Sequence, residues 1–188
     1  MAEQTQKQTP GFTVGGYRIS YTQNALLILS MVAATFTIVG AVVLAYDPLS
    51  ALTFGVGAVI VHLSNIVIHQ TGHIIAARTT GYPMRGFHFW GPLATSVYPR
   101  DEGDLPAAVH RRRALGGPLL SGVLAAIFFI LLLLAFPGGG VPLTLSVLGL
   151  MDALLVFTIG ALLPLKTVLR LPIETDGDTL VRWRRRGI

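Results

Sequence analysis

His69 and His73 stand four residues apart inside a hydrophobic run long enough to cross a membrane. Imidazoles in a transmembrane helix are costly to bury, so such residues are functional candidates by default. Residues four apart share a helix face, so both rings can converge on one metal ion. In the H-E-x-x-H pattern a glutamate follows the first histidine and acts as general base. Gln70 occupies that position here. Its amide can hydrogen-bond a water but cannot accept a proton at neutral pH. His69-Gln70-Thr71-Gly72-His73 thus has the ligand spacing of a hydrolytic metal site and lacks its proton-transfer group.

The elements that must position these residues are membrane spans. The chain has 188 residues, 52% of them hydrophobic and only 12% charged. Soluble domains carry about 25% charged residues. Four stretches, at about 25–46, 51–76, 114–136 and 142–165, are apolar over the roughly 20 residues a spanning helix needs. Residues 1–24 read as a polar tail without the apolar core of a signal peptide, 25–180 as one transmembrane domain, and 181–188 as a basic tail. There is no cysteine, so a metal site must use His, Asp or Glu.

Charge sets the topology. Every Lys and Arg falls in the N-terminal tail, in the long loop from Arg78 to Arg113, or in the C-terminal segment from Lys166 onward. The two remaining loops, at Asp47-Pro48 and Pro137-Gly138, have none. The positive-inside rule places both termini and the long loop in the cytoplasm. The basic balance therefore reads as topology and contact with anionic lipid, with no nucleic-acid partner.

Smaller features fill in the frame. Phe12–Val14 and Tyr17–Tyr21, joined by Gly15-Gly16, read as a hairpin. Gly86–Pro92 and Ala94–Tyr98 read as two more short strands around a turn. Asp101-Glu102-Gly103-Asp104 reads as a solvated turn, and Leu105–Arg113 as a basic amphipathic lead into span three. Gly116-Gly117-Pro118 reads as the opening of that span, since Pro suits a first helical turn and Gly permits close backbone approach. Asp152 lies mid-span and needs a partner such as His62, Ser64 or Asn65 of span two, or else belongs to a water path to the metal. His62 is two turns from His69, roughly 10 Å, too far to bind the same ion. His88 and His110 read as interfacial or solvated.

In this order the motifs resemble the site-2 protease family of intramembrane zinc metalloproteases. The matches are His69-Gln70-Thr71-Gly72-His73, then Gly117-Pro118, then Leu163-Pro164 with Asp176-Gly177, over residues 51 to 180. The resemblance implies an all-α membrane fold, a bundle of about four transmembrane helices with a small membrane-associated β-hairpin in the cytoplasmic loop. It implies one Zn²⁺ per chain on His69, His73 and Asp176, with Asp178 or Glu174 as competing third ligands. Two imidazoles and a carboxylate leave an open fourth position, the pattern of a catalytic site. The resemblance also implies a multi-pass protein of a bacterial or archaeal cell membrane. It would cleave single-span membrane proteins, including tethered transcription regulators, near their cytoplasmic side. Substrate contacts are expected at Phe87, Phe89, Gly117, Pro118 and Ser121, with an unwound substrate segment adding as a strand to the loop hairpin.

The chain departs from the family pattern at three positions. Gln70 replaces the catalytic glutamate, Ser121 stands where an asparagine often follows Gly-Pro, and Ala161 where an asparagine often precedes Leu-Leu-Pro. Gln70 fits either a substitution that traps an inactive enzyme or a natural pseudoprotease that binds transmembrane segments as an adaptor or chaperone. A metal-ion carrier would need a continuous polar path, and only Asp152 and His62 are available. A haem sandwich is excluded because His69 and His73 point the same way from one helix.

Overall fold

A computed structural model describes residues 9–99, 101–161, 163–168 and 175–185. Four helices carry the architecture: α1 (Ala25–Val42), α2 (Pro48–Thr79), α3 (Ala107–Ala135) and α4 (Gly140–Ala161). All four include windows long and apolar enough to cross a membrane. The chain is therefore a multi-pass membrane protein, and its outward Leu, Ile, Val and Phe side chains face lipid. A short α5 (Leu165–Val168) and an amphipathic α6 (Asp176–Arg185) follow.

α2 is central, packing against α1, α3 and α4. At 32 residues it is about 48 Å long, well beyond a hydrocarbon core of about 30 Å. It starts three residues before the expected span because Asp47 caps it: its carboxylate accepts from the N–H groups of Leu49 and Ser50, and Pro48 fills the first turn. α3 begins at Ala107, so the basic stretch up to Arg113 is helical and continuous with the span. Gly116-Gly117-Pro118 therefore lies inside α3 and does not open it.

The two hairpins form one sheet. Strands β1 (Gly11–Val14), β2 (Tyr17–Tyr21), β3 (Gly86–Phe89) and β4 (Ala94–Val97) are ordered β1-β2-β3-β4. The outer pairs are antiparallel, and β2 pairs in parallel with β3 after the chain has crossed through α1 and α2. The N-terminal segment is thus an integral half of the sheet rather than a separate tail. Short strands of this kind carry local turn signals, but a parallel pairing across two spans leaves none. The sheet packs on the end of α2 through Phe87 and Met84 against Ala77, with Ile19 and Ile74 beside them.

α6 bridges the boundary expected at residue 180. Asp176 and Asp178 sit in its first turn, where the helix dipole favours acid. Its Trp183 stacks flat on His110 of α3, with centroids 4.0 Å apart. His110 is therefore a packing residue that seats α6.

Candidate metal centre

α2 and α3 cross in backbone contact. A Cβ at Gly72 would collide with the Gly116 carbonyl, and one at Gly116 with the Gly72 carbonyl. This close crossing brings Gly117 directly against the rings of His69 and His73, where a Cβ would overlap His73 Nε2 and approach His69 to within 2.6 Å. Gly117→Ala is expected to leave the bundle assembled but push the imidazoles apart. A drop in metal affinity without loss of helicity, read by metal titration and circular dichroism, checks this.

His69 Nε2 and His73 Nε2 are 3.1 Å apart. Asp176 Oδ2, arriving from α6, is 3.4 Å from the first and 3.3 Å from the second. His73 Nδ1 lies 2.7 Å from the Arg113 carbonyl, which only accepts, so Nδ1 carries the proton and Nε2 the lone pair. The Gly117 N–H approaches the same Nδ1 at 3.4 Å and is the weaker contact. His69 Nδ1 is 2.9 Å from Ser121 Oγ, and in the tautomer that donates to this hydroxyl its Nε2 is also a lone pair. Three acceptors then face one another in a buried site. They repel unless a cation lies among them. A tetrahedral ion with bonds of about 2.0–2.1 Å spaces its ligand atoms by about 3.3–3.4 Å, close to the separations seen. The residues fit a small divalent metal, and His69, His73 and Asp176 could hold one. Burial alone would push the Asp176 carboxyl up, but the two histidines it faces outweigh this and bring it below its ordinary value.

Asp178 has a different task. It is 1% exposed, and its oxygens accept from the N–H groups of Lys166, Thr167 and Thr175 and from the Thr175 hydroxyl. Burial raises its carboxyl, and these donors more than reverse that, holding it well below the usual range. Leu163 O, 2.7 Å from Thr175 Oγ1, shares that single hydroxyl proton with Asp178, so Leu163-Pro164 is tied to the start of α6. Asp178 fixes the loop, and Asp176 remains available to the histidines. Glu174 and the side chain of Ala161 lie outside the described residues.

Gln70 is 4% exposed and is turned toward β4. Its Nε2 donates to Ala94 O at 3.4 Å, and Ser96 Oγ donates to its Oε1 at 2.9 Å. β3 pairs Phe89 with Ala94 and Phe87 with Ser96, and at the hairpin tip the Trp90 N–H donates to Leu93 O. Bonded and non-bonded pairs alternate along an antiparallel ladder, so the backbone groups of Ala94 and Ser96 point away from β3, toward the open edge. Gln70 thus touches the free edge of β4.

Phe87 is 2% exposed and sits in the core beneath the sheet, with Phe89 packed edge-on beside it. Their side chains support the hairpin rather than line a surface. Pro118 and Ser121 are buried, and the Ser121 hydroxyl is committed to His69.

The acidic turn is more than a solvated loop. Glu102 accepts two hydrogen bonds from Arg113, at 2.9 and 2.6 Å. Arg113, 4% exposed, also donates to Tyr82 O and lies 4.3 Å from the Tyr98 ring centroid. Burial pushes the Tyr98 phenol up to about 12. Three consecutive arginines at 111–113 read as a surface run, and nothing in their spacing marks the third as the buried one.

The fold and the trio define a polytopic membrane protein with three clustered side chains that could hold a metal. No protein-family model matches the chain, and no curated protein matches it. Among solved structures it superposes on the site-2 protease from Methanocaldococcus jannaschii, with a TM-score of 0.58 and 18% identity over 91% of this chain and 68% of that one. The fold is that of a site-2 protease.

Proposed function

We propose that the chain is an intramembrane zinc metalloendopeptidase of site-2 type, present here in a form that binds substrate and cleaves slowly or not at all. The convergence of three acceptors from α2 and α6 at 3.1–3.4 Å carries this reading. A Zn²⁺ held by His69, His73 and Asp176 would supply Lewis acidity, acidifying water and polarising a peptide carbonyl. Arg113 O and Ser121 Oγ orient the two rings. Gly117 keeps space open against them. The free edge of β4 can hold an unwound segment of a single-span membrane protein in extended form by main-chain pairing. Gln70 can position a water by hydrogen bonding but cannot take its proton or return one to the leaving amine. The charge pattern supports cytoplasmic termini and cleavage near the cytoplasmic side.

A second reading, a membrane adaptor that holds transmembrane segments without cutting, is favoured by the amide contacts of Gln70 to β4. The two differ in what a glutamate at 70 would do.

Zinc content tests the site without a known substrate. The purified chain is expected to carry about one zinc. His73→Ala and Asp176→Asn should lose it, while Asp178→Asn should retain it with weaker affinity. Elemental analysis that finds no zinc in the parent chain would overturn the reading.

A further inference from the structure

A second polar cluster, partly buried, lies on α2, two turns from the candidate metal centre. His62 Nδ1 is 3.0 Å from Asp152 Oδ1 of α4, and His62 Nε2 is 2.7 Å from the Pro92 carbonyl at the β3–β4 turn. Asn65, 1% exposed, donates to Asp152 Oδ2, and its own Oδ1 has no partner among the described residues. Both ring nitrogens face acceptors, so the ring and the carboxyl together hold two protons: the cluster is an imidazolium–carboxylate pair or its equivalent. Ionisable side chains inside a membrane bundle are costly. It is not needed to close the bundle, because α2 and α4 also pack through apolar residues, with a Cβ at Gly57 within 2.8 Å of Leu145. The distinctive bond is the one to Pro92. It reaches out of the bundle to a turn whose neighbours Trp90 and Leu93 are 57% and 56% exposed.

We propose that His62, held by Asp152 and Asn65, is a positioning residue that pins the β3–β4 hairpin against α2. Besides the apolar packing at Ala77 and Ile74, α2 makes polar contacts with the hairpin at two places: His62 at Pro92, and Gln70 at Ala94 and Ser96. Together they fix the depth and register of β4 beside the metal ligands. A cavity of about 230 Å³ abuts His62, Asp152 and Pro92 and is otherwise lined by apolar residues such as Val32, Phe36 and Leu148. It leaves the turn room to shift once the pin is removed. No feature of the metal site requires this pair, and a proposed protease activity would feel it only through the hairpin. The inference rests on the hairpin geometry and stands apart from zinc chemistry.

The chain has no cysteine, so spin labels can be placed at chosen pairs. One pair, Leu93→Cys with Leu49→Cys, reports the turn against α2. A control pair, Met31→Cys with Ile60→Cys, reports α1 against α2. His62→Ala is expected to broaden and shift the first distance distribution and leave the second unchanged. Asp152→Asn, which keeps the volume, should do the same more mildly, and the double variant should be no worse than His62→Ala. An unchanged turn distance in both variants overturns the proposal, as does movement of both pairs together, which would mean a general structural role. Zinc measured on the same samples keeps the readings separate. A parent chain without zinc defeats the protease reading but leaves the hairpin result standing.

Discussion

Replacing Gln70 by glutamate is expected to raise cleavage of a membrane-protein substrate by about 10²–10⁴-fold over the parent chain, the usual contribution of a positioned general base. The substitution is nearly isosteric, so the bundle and zinc content should not change. One contact must change. The amide nitrogen now donates to Ala94 O, and a carboxylate has no proton to offer there. Ser96 Oγ can still donate to the new side chain. The carboxylate is therefore held to β4 by one contact instead of two. Single-turnover cleavage in zinc-loaded detergent solution is the measurement, because it separates chemistry from product release. If Gln70→Glu binds a transmembrane peptide, keeps its zinc and still does not cut it, the protease reading fails and the adaptor reading takes its place.

Glu102→Gln is expected to destabilise the protein by about 3–5 kcal/mol, the cost of leaving a buried charge without its partner. The Arg113 side chain is 5% exposed and that of Glu102 18%, so water offers little compensation. Arg113 Nε already lacks a partner among the described residues. Tyr82 O and the Tyr98 ring remain after the change but cannot neutralise the guanidinium. Arg113→Met should cost a similar amount, whereas combining it with Glu102→Leu should cost less than either single change, because the double change removes both charges. Thermal unfolding midpoints give the order. Metal affinity should fall with stability in the single variants, since the Arg113 carbonyl is the acceptor that orients His73. Single variants within about 0.5 kcal/mol of the parent, the range of ordinary surface changes, would show the pair to be incidental.

Much of the centre is local in sequence, and that part was readable. His69 and His73 share a face because helical periodicity requires it, and the glycines at 116 and 117 announce a close approach whatever their partner. The Asp152 partners were readable too, since a mid-span acid has few polar choices and His62 and Asn65 are two of them. What could not be read depends on chain crossings. β2 meets β3 only after two spans have intervened, so both hairpins looked independent. Arg113 differs from Arg111 and Arg112 only in the direction its side chain faces on α3, which depends on where the turn at Glu102 lands. Asp178 is turned away from the histidines by N–H groups of Lys166, Thr167 and Thr175 that only the folded loop brings together, so the sequence leaves Asp176 and Asp178 undivided.

The three-acceptor site joins α2 to α6, points about a hundred residues apart along the chain. A cation held there would also act as a clasp. Closing a loop of that length removes roughly 4–5 kcal/mol of chain entropy from the unfolded ensemble if the joint behaves like a covalent link. α6 is also held by packing against α3 and α4, by the stacked His110–Trp183 pair and by the Thr175–Asp178 loop. If an ion is held there, its binding and the seating of the C-terminal helix reinforce each other, so stripping it would remove one of the ties on the segment that carries Asp176.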